Sequence, residues 1–299
     1  MAQPLSAAAV LTALRAEGVK VVEVGNWRTH NRNAKGAWGP VNGSMVHHTV
    51  TSGTSKTVGI VRDGYSSLPG PLCHGMIAKD GTVHMVGWGR TNHAGGGDPR
   101  VLEQVTAESF GSRPTPPTKG NTNGVDGNSR FYGWECENLG DGKDPWPGAQ
   151  YDAIVRVQAA ICRAHGWGAR SVIGHLEWSS DKIDPRGISM PTLRADVAER
   201  LKHPANWSPG ASTPSTPKPP PTAPPKETPT ATTEKQINAL HSNLLTIGSL
   251  TEIDGKGERV NHAAGYYLAH IEKDTTDLGV QLARIEKKLD ALIATLAKS

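Results

Sequence analysis

Two imidazoles and a carboxylate form a set able to bind a metal. His47 and His48 lie in a β-branched run, Met45 to Val50. Successive side chains of a strand point to opposite faces, so only one of the two faces a given site. His175 closes a short apolar segment, Ser171 to Gly174, and Asp184 follows nine residues later in Lys182-Ile183-Asp184-Pro185. Lys182 and Asp184 are two apart and share a side if the segment is extended. Two His and one carboxylate are a ligand set for catalytic zinc, which keeps a fourth position for water. A lone His is more often a packed core or surface residue. The set, with a Lys beside it and a Glu on another strand, is what points to a site.

Positioning such a set takes a framework of strands backed by helices, and the hydrophobic pattern supplies one. Residues 5–16 read as a helix with Ser6 as its N-cap, and Val19 to Val24 as a strand. Met45 to Val50 and Gly133 to Asn138 are further strands. His74 to Ala78 and Thr82 to Val86 pair as a hairpin turning at Lys79-Asp80-Gly81. Ala149 to His165 is a helix, with Ile154, Val157 and Ile161 on one face. Helices alternating with strands predict a mixed α/β fold: a central mixed β-sheet flanked by helices. Residues 95–130, rich in Gly, Pro, Asn and Thr, read as a long functional or mobile loop.

Composition divides the chain. Nine of the 26 residues from Ser208 to Thr233 are Pro, and most of the others are Thr, Ser and Ala. Such a segment cannot bury enough apolar surface to fold, and it favours extended polyproline II. The predicted organisation is a site-bearing domain over 1–207, a Pro/Thr-rich linker over 208–235 and a helical module over 236–299. In the last, positions 268, 271, 275, 278, 282, 285, 289, 292 and 296 are apolar apart from Thr275. That 3,4 spacing is a coiled-coil seam. It serves a homo-oligomer or an internal hairpin with Ile237, Leu240, Leu244 and Leu245.

All eight Trp precede the linker, and so does the whole basic excess behind the net charge of +4. An excess that small suits approach to an anionic polymer but shows no stripe for nucleic acid, which is excluded as a partner. No apolar run is long enough for a transmembrane helix. The N-terminus has no basic residue before its apolar stretch, so no signal peptide is expected. Cys73, Cys136 and Cys162 have no CxxC spacing and read as buried free thiols.

From about Met45 to Gly187 the chain resembles the type-2 N-acetylmuramoyl-L-alanine amidases, which include phage endolysins, cell-wall recycling amidases and peptidoglycan recognition proteins. The matching segments come in the family's order: Val46-His47-His48-Thr49, the hairpin His74 to Val83, Asn92-His93-Ala94-Gly95, Gly133-Trp134-Glu135-Cys136-Glu137, then Gly174-His175 and Lys182-Ile183-Asp184-Pro185. The resemblance implies that Zn2+ is bound by His47, His175 and Asp184, with Glu135 as general base and Lys182 stabilising the oxyanion. It implies that His93 contacts substrate and leaves His48 on the opposite face as a structural residue. Many relatives carry Tyr before the hairpin His, where this chain has Cys73; a thiol does not replace a phenol donor. Cys73 as an additional ligand remains open.

The chemistry so implied is cleavage of the amide between N-acetylmuramic acid and L-alanine. Zinc lowers the pKa of water to about 7 and polarises the carbonyl. The Glu takes a proton from water and returns it to the leaving amine. The linker and second module fit an endolysin, held in the host cytoplasm until release and then acting on bacterial peptidoglycan. The alternative is a non-catalytic peptidoglycan recognition module, whose members generally lose a zinc ligand; here all three ligand positions hold competent residues.

Overall fold

A computed structural model describes residues 1–208. The linker from Pro209 onward and the heptad-bearing segment lie outside them. The elements, in chain order, begin with α1 (Ala7–Ala16), β1 (Val21–Glu23), β2 (Gly43–His48) and α2 (Thr54–Asp63). The short ribbon of β3 (Gly64–Tyr65) and β4 (Leu68–Pro69) leads to the hairpin of β5 (Gly75–Ile77) and β6 (Val83–Met85). A second ribbon, β7 (Gly96–Gly97) with β8 (Val125–Asp126), encloses α3 (Pro99–Thr106). Then come β9 (Phe131–Cys136), α4 (Gly148–His165), β10 (Val172–Gly174), α5 (His175–Trp178) and α6 (Met190–Leu201).

The six longer strands form one sheet in the order β1-β6-β5-β9-β2-β10. Only the β5–β6 hairpin is antiparallel; the other pairs are parallel. This is the mixed α/β architecture the pattern predicts. Parallel pairing leaves both faces to be covered. On one face Val46, Ile77, Tyr132, Trp134 and Val172 pack with Val10, Leu14, Ile154, Val157, Ile161 and Leu193, which come from α1, α4 and α6. The opposite face carries two smaller clusters: Met45, Phe131 and Ile173 with Val101, Val105 and Trp178, and separately Met76 with Val61, Leu72 and Cys73. Strand alternation puts His47 two residues beyond Met45 on that second face. Glu135, its register partner, stands beside it.

The ends of the helices follow local chemistry. The Ser6 side chain accepts from the Ala9 N–H at the start of α1. Gly166, left-handed at φ 66°, ends α4. In contrast to the loop predicted over 95–130, α3 forms there. Asp98 caps it through the Arg100 N–H, Pro99 takes its first turn, and Val101 and Val105 are its buried stripe. Its Gly- and Pro-rich flanks dilute that short stripe in the composition. Among the described residues, no helix is long and apolar enough to cross a membrane.

Candidate active site

The chemistry-bearing side chains leave the sheet where parallel strands end. His47 is the penultimate residue of β2, Glu135 the penultimate residue of β9, and His175 follows β10 directly. In α/β sheets such a carboxyl-end rim is the usual place for a ligand crevice. His175 is held on a rigid base. In α5 the Glu177 carboxylate accepts from the Gly174 N–H and from Arg194 at 2.7 and 2.8 Å, a buried two-pronged pair. Asp184 returns to the same place because its carbonyl accepts from the Leu176 N–H at 2.7 Å.

The set singled out by spacing is brought together. His47 Nδ1 lies 3.0 Å from His175 Nδ1 and 3.0 Å from Asp184 Oδ2, and the His175–Asp184 distance is 3.1 Å. All three residues are buried. Their hydrogen bonds elsewhere settle which atoms carry protons. His93 Nε2 faces the Phe131 carbonyl at 3.2 Å, and a carbonyl only accepts, so Nε2 carries the hydrogen. Burial, then His47, pushes His93 well below its ordinary pKa, so the ring is neutral and its Nδ1 is an acceptor. His47 Nε2, 3.0 Å away, therefore donates to it. His47 is itself lowered to about 4 by burial and then by His175, and is neutral. Its Nδ1 is thus bare. His175 Nε2 donates to the Ala94 carbonyl at 3.1 Å, which turns its Nδ1 towards His47 and Asp184.

Three ligand-type atoms, His47 Nδ1, His175 Nδ1 and Asp184 Oδ2, thus converge on one point. Ligands around a tetrahedral ion with zinc-like bonds lie about 3.3 Å apart. The observed 3.0–3.1 Å triangle and its donor chemistry fit such a cation.

Glu135 is half-buried, and its Oε2 has no hydrogen-bond partner within the protein. Burial, then the Asp184 carboxylate, raises its pKa well above the ordinary value, and Lys182 pulls the other way. Lys182 is half-buried and lies close enough to act electrostatically on both Glu135 and His47. Glu137, two residues on, is bonded elsewhere: its carboxylate accepts from the Gly53 N–H and the Thr54 hydroxyl at the start of α2. His48, read from the resemblance as a structural neighbour, accepts at Nδ1 from the Arg186 N–H.

His93, expected to contact substrate, is buried with both ring nitrogens bonded inside the protein. Its ring fills the place a side chain at Gly133 would take. Cys73 forms a second donor group with His47 and His93, apart from His175 and Asp184. Burial, then Glu135, drives its thiol well above its ordinary pKa, and the nitrogens joining His47 to His93 are already paired with each other. Sequence reasoning missed the Phe131 and Ala94 carbonyls and the Glu177–Arg194 pair. The carbonyls carry no side-chain signal, while Glu177 shows only as an acid two residues after His175.

The chain matches the family model described as N-acetylmuramoyl-L-alanine amidase over residues 37–187, a span that contains every residue of this site. Among solved structures it is similar to the endolysine N-acetylmuramoyl-L-alanine amidase LysCS from Clostridium intestinale URNW. The identity is 18% and the TM-score 0.34, over 60% of this chain and 95% of that one. It is also similar to the N-acetylmuramoyl-L-alanine amidase LysC from the same organism, at 18% identity and TM-score 0.33, over 61% and 97%. No curated protein matches it significantly.

Proposed function

The chain belongs to the N-acetylmuramoyl-L-alanine amidase family, and we propose that it cuts the amide between N-acetylmuramic acid and L-alanine of peptidoglycan using zinc held by His47, His175 and Asp184. The observation that supports the metal reading is the triangle of ligand atoms 3.0–3.1 Å apart, a spacing and donor set that suit a tetrahedral cation. Bound zinc supplies a Lewis acid that activates water and polarises the amide carbonyl. Glu135, whose raised pKa brings it towards the working range of a neutral-pH base, takes the proton from water and returns it to the departing L-alanine nitrogen. The Lys182 ammonium stabilises the negative charge that develops on the carbonyl oxygen, a contribution of about 3 kcal/mol for such a donor.

The test is zinc content of the purified protein together with a product assay on isolated walls. One zinc per chain and newly freed L-alanine amino ends are expected. Zinc without such ends would reduce the chain to a recognition module.

The Pro-rich segment 208–235 and the heptads of 236–299 support an endolysin-type organisation: a catalytic domain, a spacer, and a helical module for wall targeting or oligomerisation. In this reading the enzyme waits in the host cytoplasm until it gains access to the wall. Truncation after Trp207 is expected to keep zinc and hydrolysis of soluble fragments while weakening lysis of intact walls. Undiminished wall lysis would remove the targeting role.

A further inference from the structure

The turn His93-Ala94-Gly95 touches both imidazoles of the candidate metal site. The His93 ring accepts the His47 Nε2 hydrogen at 3.0 Å, and the Ala94 carbonyl accepts the His175 Nε2 hydrogen at 3.1 Å. One side chain holds this turn. Asn128 Oδ1 accepts from the His93, Ala94 and Gly95 N–H groups at 2.9, 2.8 and 3.3 Å. Asn128 is itself buried and anchored, its own N–H bonded to Asp126 Oδ1, and Arg90 grips Asp126 with both terminal nitrogens. The Trp178 indole N–H donates to the same Ala94 carbonyl, so that carbonyl cannot swing away without orphaning two donors. Gly133 leaves the space in which the His93 ring stands.

We propose that Asn128 is a positioning residue that clamps the turn 93–95, so that one short segment sets the tautomer and ring orientation of both imidazole ligands, with His93 serving His47 rather than the substrate. The proposal rests on the zinc reading above. Partners of a ligand's second nitrogen fix its orientation and raise its basicity, and losing one typically costs about 10–100-fold in metal affinity. What is unusual is the economy of the arrangement. Two ligands 128 residues apart in sequence take their outer partners from adjacent residues, and a single amide oxygen holds both.

Competition of zinc against a chelator, read beside the visible spectrum of the cobalt-substituted protein, tests this on the full chain. Asn128→Ala is expected to weaken zinc about 10–100-fold and shift the cobalt bands, whereas Asn128→Asp, which keeps an acceptor, restores most of the affinity. His93→Phe fills the same space but removes the acceptor and is expected to behave like Asn128→Ala. His93→Asn, whose Oδ1 stands in for Nδ1, is expected to rescue. Thermal melting of the metal-free forms controls for folding; if Asn128→Ala does not fold, the His93 pair decides. Wild-type zinc affinity and cobalt spectrum in His93→Phe, with only KM for wall fragments raised, would overturn the proposal and return His93 to the substrate. A wild-type protein that binds no zinc would sink the underlying reading, a result distinct from tight binding that the variants leave unchanged.

Discussion

Two buried charged clusters of this domain solve the same problem in opposite ways. At the base, Glu17 is fully buried, yet each carboxylate oxygen meets a guanidinium: Arg163 at 2.7 Å and Arg200 at 2.6 Å. Arg156 and Arg200 also donate to its carbonyl. That knot is complete within the chain. At the rim, Asp184 meets two imidazole nitrogens. Burial alone therefore does not mark function. The distinguishing feature is a buried anion whose partners are imidazole ligand atoms, where Glu17 has fixed guanidiniums.

Four experiments break or sharpen this contrast. Asp184→Ala should remove zinc and reduce wall hydrolysis by more than about 10³-fold, since losing even one oxyanion donor costs about 10²–10³-fold. Metal analysis and the product assay read both effects. Glu135→Gln keeps the ligand set and should lower kcat by about 10²–10⁴-fold at unchanged zinc content. Loss of zinc in that variant would move Glu135 from proton transfer to metal binding.

Glu17→Gln should do the reverse. It is expected to destabilise the fold by about 3–5 kcal/mol, because two guanidiniums lose their anion. Zinc content and kcat measured well below the melting temperature should be untouched. Denaturant unfolding beside a rate assay separates the two outcomes.

The smallest effect concerns His74, a buried ring between the two clusters in character. It donates to the Gly89 carbonyl, accepts from the Gly133 N–H, and is lowered by burial to about 4. Its folded pKa lies below the unfolded value near 6.5, so the unfolded chain binds the proton first. Its contribution is full above pH 6.5 and shrinks as pH falls towards 4, by about 3 kcal/mol. In the metal-free protein His74→Gln should flatten the acid limb of stability against pH by up to about one proton. An unchanged slope would mean that the ring titrates normally.

The sequence carries the site unevenly. The strands that bear the ligands are legible because their apolar residues alternate or run together between turn residues. Ala149 to His165 is legible because it buries a continuous stripe. Helix α2 is not, since among its ten residues only Thr57 and Val61 are buried. Helix α6 does carry a signal in its residues, although no helix is predicted there: Ser189 as cap, then Met190, Leu193 and Val197 on one face. His47, His175 and Asp184 are found from residue type and order. Their partners are not, because Phe131 and Ala94 contribute backbone carbonyls and Asn128 sits among Gly and Asn residues that read as loop. The role of His93 turns on where its ring nitrogens go, which no residue pattern encodes.

The gathering of His47, Glu135 and His175 at one edge of the sheet has a consequence for how such an enzyme changes over time. The strands that fix these groups belong to the packed interior, while the segments that join them run outside it. Such connecting segments tolerate changes in length and composition better than the strands do, so the reacting groups can keep their geometry while the loops vary. Loop variation and chemical competence are thereby separable in this fold.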